Sequence, residues 1–261
     1  MNTIFFDNNS TTKIDSDVFE SMMPYFKNFY GNASSNHVLG RESKTALENS
    51  RNLIAQSINA YPEQIFFTSG GTESNNHIFQ VLAHKKNPRI LISSVEHPSI
   101  TNTANNYASN SSCELIEIPV NKNGEIILDL LSLKLSKFCD LLCLMFVNNE
   151  TGVIQPILKK QYFEKNIGWF HCDAVQAFGK VPIDFNNMPF DSISISSHKI
   201  HGPKGIGALV VKDPSKLPGF ILGGMQENSL RAGTESIPNI VGFAAAAQKI
   251  DSMLEFQKNH V

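Results

Sequence analysis

Residues 192–205 read SISISSHKIHGPKG, and this stretch indicates how the chain folds. Serine and isoleucine alternate over 192–196, which is the period-two pattern of a β-strand. The two glycines and the proline at 202–205 then prevent a helix or a strand from continuing. The segment therefore predicts a strand that ends by delivering Lys199 into a loop.

Apolar runs alternate with helical patterns along the rest of the chain, as they do in βαβ units. We expect an α/β fold of three layers, in which a mostly parallel seven-stranded sheet is flanked by helices. The predicted strands are 64–68, 89–94, 114–118, 140–147, 169–173, 191–196 and 207–211. The predicted helices are 42–58, 73–83, 128–138 and 237–256.

The composition is typical of a soluble globular protein with one large domain. The 261 residues are 41% hydrophobic and 18% charged, and the formal net charge of −2 at pH 7 lacks the basic excess of a nucleic-acid surface. No apolar stretch reaches about 18 residues, and no basic leader precedes an apolar run at the N-terminus. We expect a cytoplasmic protein whose partners include neither nucleic acid nor a membrane.

The four cysteines, at positions 113, 139, 143 and 172, form no C-x-x-C pair, and no paired histidine spacing accompanies them. These spacings favour reduced thiols over disulfides, and we expect no metal site. Side chains alternate along a strand, so Cys172 should point to the opposite face from Asp173. We therefore do not expect Cys172 to act as a nucleophile.

A glycine turn lies in residues 66–75, FFTSGGTESN, between a predicted strand and a helix start. Gly70 and Gly71 allow a tight turn and a close approach to a ligand, and the start of a helix suits a phosphate group. Thr72 can add a hydroxyl donor. The alternative is a tight strand-to-helix connection without a ligand. A dinucleotide is not expected, because the G-x-G-x-x-G spacing is absent.

Asp173 follows a predicted buried strand, at the sheet edge where ligands of α/β folds gather. A buried carboxylate needs a positive partner, and a protonated pyridine nitrogen would be one. Such a pair would keep a heterocycle cationic and able to withdraw electrons from a substrate carbon. The alternative for Asp173 is a helix N-cap.

Lys199 comes to the same edge, and a lysine whose pKa is lowered by its surroundings can form an imine with a carbonyl compound. A lone lysine at a strand end is more often a solvated surface group, so only the neighbouring motifs favour the chemical role. Lys204 is a competing candidate, although its place beyond residues 202–203 favours a flexible, solvated role.

Two further polar side chains follow predicted strands. His97 could stack on an aromatic ring and shuttle protons, because the unperturbed pKa of histidine is near neutrality. Asn149 could donate a hydrogen bond to a ring hydroxyl oxygen. Each could equally be an ordinary loop residue that bonds to its neighbours.

Eight segments, taken in order, resemble the cysteine desulfurases of the class V aminotransferase family. The resemblance covers nearly the whole chain and implies the large domain of a fold type I transferase that depends on pyridoxal 5'-phosphate. The segments are 6–12, 31–37, 68–76, 96–97, 148–152, 173–176, 196–207 and 231–235.

The resemblance implies which residues hold the cofactor's phosphate. Gly71 and Thr72 would bind it, and Ser196 and His198 would add donors. Thr234 would reach the phosphate bound by a neighbouring subunit, which implies a homodimer.

The resemblance also implies which residues surround the cofactor's ring. His97 would stack on the ring, Asp173 would pair with its nitrogen, and Asn149 and Gln176 would contact the ring or its hydroxyl oxygen. Lys199 would form the imine with the cofactor, and Lys199 and His97 would be the catalytic residues.

The reaction implied by the resemblance converts L-cysteine to L-alanine, with the sulfur passing to a mobile cysteine as a persulfide. That sulfur would serve an iron–sulfur scaffold protein or tRNA thiolation. Two alternatives stay open. One is a non-catalytic protein that binds pyridoxal phosphate or dimerises, and the other is a different class V reaction, such as selenocysteine lyase or transamination.

We expect residues 1–261 to form one cofactor-binding domain, with the N-terminal segment 1–15 belonging to the same unit. We expect a small C-terminal domain, which would carry the persulfide cysteine and an arginine for the substrate carboxylate, to be absent. Its absence should leave apolar surface exposed on the last helix.

Overall fold

A mixed seven-stranded sheet forms the centre of the computed structural model, which describes residues 4–158, 163 and 166–260. Residues 1–3 of the predicted N-terminal segment and residue 261 lie outside the described residues. The strands are β1 (Ile65–Thr68), β2 (Arg89–Ser93), β3 (Glu114–Ile118), β4 (Leu141–Cys143), β5 (Phe170–Asp173), β6 (Ser192–Ser196) and β7 (Gly207–Val211).

The strand order across the sheet is β1-β7-β6-β5-β4-β2-β3. Strand β7 runs antiparallel to both of its neighbours, and the pairs from β6 through β3 are all parallel. The predicted mostly parallel, seven-stranded sheet is confirmed. Its parallel strands end at one edge, so the loops that follow β2, β4, β5 and β6 lie side by side.

Helices cover both faces of the sheet. They are α1 (Ser16–Lys27), α2 (Val38–Ser57), α3 (Gly71–Ile78), α4 (Pro98–Asn110), α5 (Leu128–Lys134), α6 (Ile237–Ala247) and α7 (Ile250–His260). Alternate side chains of β7 show the two cores. Val210 packs in the core that contains residues of α2 and α6, whereas Leu209 packs in the core that contains residues of α3 and α4.

The structure corrects several predicted boundaries. Helices α3 and α5 are shorter than predicted, and the segment 237–256 is divided into α6 and α7 by a break near Gln248. Helices α1 and α4 were not predicted. Proline lies inside α1, where it argues against a helix although Val18 and Met22 are buried one turn apart. Helix α4 buries only Ser99, Ile100 and Ala104.

The predicted strand 140–147 is regular only in β4, although its backbone continues beside β5. The amides of Leu144 and Phe146 still donate to the carbonyls of His171 and Asp173. On the other side β2 has already ended, and the Met145 amide donates instead to the carboxylate of Glu96 at 2.7 Å. The segment after β4 therefore stays hydrogen-bonded to β5 after its pairing with β2 has ended.

The apolar surface that was expected to be exposed on the last predicted helix is mostly buried. Ile240, Phe243 and Ile250 are 1%, 0% and 4% exposed, whereas Phe256 on α7 is 62% exposed. All four cysteines are free, and burial raises the pKa of Cys139 to about 12. None of the helices among the described residues has the length and apolar character needed to cross a bilayer.

A buried ion pair fixes the loop that follows β7. Glu227 accepts two hydrogen bonds from Arg51 of α2, at 2.7 and 2.8 Å, and a third from the Phe67 amide of β1 at 2.7 Å. Residues 227–229 all have positive φ angles, a backbone conformation that residues other than glycine rarely adopt. The ion pair holds this unfavourable turn against the sheet.

Replacement of Glu227 by alanine should lower the free energy of unfolding by about 3–5 kcal/mol, because Arg51 would stay buried with only the half-exposed Glu48 as a charged partner. Urea titration followed by circular dichroism measures the change. Asp213→Asn, which removes the exposed partner of Lys216, is the control and should leave the midpoint unchanged. Equal midpoints for Glu227→Ala and the parent protein would contradict the role assigned to the pair.

Candidate active site

A cavity of about 470 Å³ lies where the parallel strands end. Ten residues were predicted for the site, and nine of them line this cavity. They are Gly71, Thr72, His97, Asn149, Asp173, Gln176, Ser196, His198 and Lys199. The residues come from five separate strand-to-loop junctions, so the fold assembles the cavity from distant parts of the sequence.

Asp173 is the last residue of β5 and is only 5% exposed. One carboxylate oxygen accepts the Val175 amide at 3.0 Å, and the other accepts the Asn75 side-chain amide at 2.7 Å. Burial raises the pKa of Asp173, and these hydrogen bonds oppose the shift. Among the described residues Asp173 forms no salt bridge, so its carboxylate has donors but no paired cation.

Asp173 does not cap a regular helix, because the residues after it form turns. Its bond to the Val175 amide stabilises the first of these turns, so the alternative role predicted for it is met only in part. The other oxygen remains directed toward Asn75, which also lines the cavity.

Lys199 ends a short 3₁₀ turn that follows β6. Its amine donates to the backbone carbonyl of Asn9 and, at 2.9 Å, to that of Ser10. Burial lowers the pKa of Lys199, and the carboxylates of Asp173 and Asp7 act in the opposite direction. The amine is therefore half-buried and held at the cavity by the N-terminal segment.

Lys204, the competing lysine, is exposed and lies outside the main cavity. It borders a neighbouring cavity of about 310 Å³, together with Gly71, Thr72 and His198. The structure thus places Lys199 beside Asp173 and Lys204 beside the glycine turn.

The glycine turn begins α3, with Gly70 as the N-cap residue at a φ of 147°. A Cβ atom on Gly71 would lie 2.5 Å from a methyl group of Val175, so only glycine fits this position. The first amides of a helix have no partner within the helix and point outward. Thr72 and Ser196 line the cavity here, and their hydroxyls add possible donors.

His198 lies near the same turn, and its Nδ1 is 3.1 Å from the Thr11 hydroxyl. Burial lowers the pKa of His198 to about 4, and the charges of Lys199 and Lys204 add to this effect. The imidazole is therefore neutral at pH 7.

Three other predicted residues are held by defined contacts. His97 caps α4 by accepting the Ser99 amide at 3.1 Å. Gln176 donates to the carbonyl of Asn9 at 2.9 Å. Asn149 lies in a turn in which the side chain of Asn148 accepts the amides of residues 150 and 151.

Thr234 is the predicted residue that the structure does not bring to the main cavity. It is exposed and borders a separate cavity of about 130 Å³ beside Arg231 and Glu235. Its contact with a second subunit stays a prediction, because the structure contains one chain.

Sequence reasoning missed several residues of the cavity. Asn75 lies one helical turn after Gly71, and this spacing could have placed both on one face of α3. Ser99 could have been found as the partner of the helix-capping His97. The carbonyls of Asn9 and Ser10 gave no local signal, because they meet Lys199 across about 190 residues.

Residues 4–260 match the family model described as aminotransferase class-V. A cysteine desulfurase of Sinorhizobium fredii is 40% identical over 252 residues, which cover 95% of this chain and 65% of that protein. A solved structure of a NifS-like protein superposes with a TM-score of 0.92 at 34% identity and covers 99% of this chain and 72% of that one.

A second solved structure, described as SspA in complex with cysteine, has a TM-score of 0.90 at 36% identity and covers 94% of this chain and 72% of that one. The chain spans slightly less than two thirds of the length of the curated relatives that it matches. Members of this family depend on pyridoxal 5'-phosphate. From the match over residues 4–260, the chain belongs to the class V aminotransferase family.

Proposed function

We propose that this chain binds pyridoxal 5'-phosphate and acts on L-cysteine as the large domain of a cysteine desulfurase. The observation that carries the proposal is the convergence of Asp173, Lys199 and the Gly71 turn on one cavity. The relatives named cysteine desulfurase and the neighbour solved with cysteine support this choice of substrate.

The residues of the cavity fit this cofactor. Asp173 is a buried carboxylate without a paired cation, and a protonated pyridine nitrogen would supply one. Gly71 lines the cavity as the first residue of α3, and the free amides at the start of a helix suit a phosphate. Lys199 offers an amine whose pKa burial lowers, so it can lose its proton more readily.

Each residue then has a definite task. Gly71, Thr72, Ser196 and His198 would bind the phosphate through backbone amides and side-chain donors. His198 would act as a neutral donor, because its imidazole does not charge near pH 7.

Around the ring, His97 would stack on one face, and Asn149 and Gln176 would contact its edge. Asp173 would keep the ring nitrogen protonated. When bound, the cofactor supplies an electron-withdrawing ring that acidifies the α-carbon of an attached amino acid. Lys199 would exchange a proton with that carbon, and His97 would assist.

The sulfur acceptor has to be a thiolate on a mobile segment, because it must pass the sulfur on. The cysteines of the sheet do not meet this requirement. Cys143 and Cys172 are fully buried, and burial raises their pKa values well above the ordinary value. We propose that the persulfide forms on a cysteine other than these.

We further propose a homodimer, in which Thr234 reaches the partner's phosphate, an iron–sulfur scaffold as sulfur acceptor, and a cytoplasmic location. The burial of Cys139, Cys143 and Cys172 favours one alternative function, a protein that binds the cofactor without desulfurating cysteine. Incubation with L-cysteine and a reductant distinguishes the two. Sulfide and alanine in equal amounts would support the desulfurase, and a cofactor spectrum without either product would support the alternative.

Lys199→Ala should abolish the visible absorbance, between about 400 and 420 nm, that arises when pyridoxal phosphate is held through a lysine amine. A spectrophotometer records the loss after cofactor is added and excess is removed. Lys204→Ala is the matched control and should keep the band. Loss of the band in Lys204→Ala, with retention in Lys199→Ala, would reverse the assignment of the two lysines.

Asp173→Asn should bind the cofactor yet slow α-proton exchange of L-alanine in D₂O by at least about a hundredfold, because the amide cannot stabilise a charged ring nitrogen. Proton NMR of the α-position follows the exchange. Asp129→Asn, an exposed change at the start of α5, is the control and should exchange at the parental rate. Undiminished exchange in Asp173→Asn would refute the proposed pairing.

A further inference from the structure

A chain of buried side-chain hydrogen bonds leads to the cavity from behind. The indole nitrogen of Trp169 lies 2.8 Å from the Ser192 hydroxyl, which lies 2.9 Å from Nδ1 of His171. Nε2 of His171 lies 3.0 Å from Oδ1 of Asn75 and 3.3 Å from the Ser194 hydroxyl. His171 is 0% exposed and does not line the cavity.

The series of hydrogen bonds then divides at Asn75. Its side-chain nitrogen lies 2.7 Å from Oδ2 of Asp173 and 2.8 Å from the Ser99 hydroxyl. The Ser99 hydroxyl lies 2.7 Å from Nδ1 of His97. The two branches therefore end at the two residues proposed to contact opposite parts of the cofactor's ring.

The carboxylate of Asp173 sets the direction of these hydrogen bonds, because an ionised carboxylate can only accept. The Asn75 side chain must therefore present its amide nitrogen to Asp173 and its oxygen to His171. His171 then carries its hydrogen on Nε2 and donates to Oδ1 of Asn75. Burial lowers the pKa of His171 to about 3, which agrees with a neutral ring.

The neutral ring of His171 leaves Nδ1 as an acceptor for the Ser192 hydroxyl, whose oxygen accepts from the Trp169 indole. The second hydrogen of the Asn75 amide goes to the Ser99 hydroxyl. Nδ1 of His97 accepts the Ser99 backbone amide, so the hydrogen of this ring lies on Nε2 whatever His171 does.

We infer that His171 is a positioning residue, which acts through Asn75 to hold the carboxylate of Asp173 as a hydrogen-bond acceptor. The inference rests on the proposed function, because the ring nitrogen expected to pair with Asp173 belongs to the proposed cofactor. Without His171, the Asn75 amide could rotate and turn its oxygen toward the carboxylate of Asp173. That contact would be repulsive and would weaken the interaction of Asp173 with a cationic ring.

The tautomers can be measured without any cofactor. Full-length apoprotein labelled with ¹⁵N-histidine is examined by long-range ¹H–¹⁵N NMR, and His97→Gln and His171→Gln identify the two signals. We expect the hydrogen on Nε2 in both rings. A hydrogen on Nδ1 of His171 would overturn the inference.

Two substitutions test whether His171 acts through Asn75. His171→Leu removes the donor, whereas His171→Gln keeps an amide that can donate to Asn75. Affinity for pyridoxal phosphate, measured by equilibrium dialysis, should fall about tenfold or more in His171→Leu and stay within about threefold in His171→Gln. The tautomer of His97 should be the same in every variant, because the Ser99 amide fixes it. Parental affinity in His171→Leu would refute the positioning role.

If His171→Leu does not fold, His171→Phe replaces it, because a phenyl ring keeps a flat aromatic shape and removes the donor. The affinity of this variant for pyridoxal phosphate should fall by the same factor, and parental affinity would count against the positioning role. Failure of the parental protein to bind pyridoxal phosphate would refute the proposed function alone, since the tautomers of the apoprotein do not depend on it.

Discussion

The burial of one carboxylate, that of Asp173, is the constraint on which the rest of the site depends. A carboxylate that is 5% exposed requires donors, and the protein provides them from α3 and from the turn after β5. Those donors satisfy hydrogen bonding and leave the charge without a paired cation. The polar side chains behind the sheet, which would otherwise be costly to bury, serve to keep these donors in place.

The topology explains how so many polar groups meet at one edge. Strands β2, β4, β5 and β6 run parallel, so the loops that carry His97, Asn149, Asp173 and Lys199 leave the sheet on the same side. The reversed strand β7 lies between β6 and β1 and pairs antiparallel with both. Hydrogen bonds then hold His97, Asp173 and Lys199 at the cavity.

Local patterns in the sequence predicted the sheet and most of the cavity, because strand alternation and polar residues at strand ends are visible within a few positions. Helix α4 escaped prediction because its few buried residues do not form a stripe. The contacts of Asn75 and of the carbonyls at residues 9–10 join segments far apart in sequence, so no local pattern could reveal them. The roles of Gln176, Ser196, His198 and Thr234 were predicted from resemblance alone, and the first three of these residues line the cavity.

The backbone around residues 9–15 lies over the segment that contains Lys199. Besides the two carbonyls at the amine, Thr12 bonds to the carbonyl of His198, and the Asp15 amide bonds to that of His201. Residues 9 and 10 leave the ribosome about 190 residues before the lysine that they contact. Their carbonyls cannot accept from Lys199 until most of the chain has been synthesised. The loop closure that completes this site is therefore among the last events of folding.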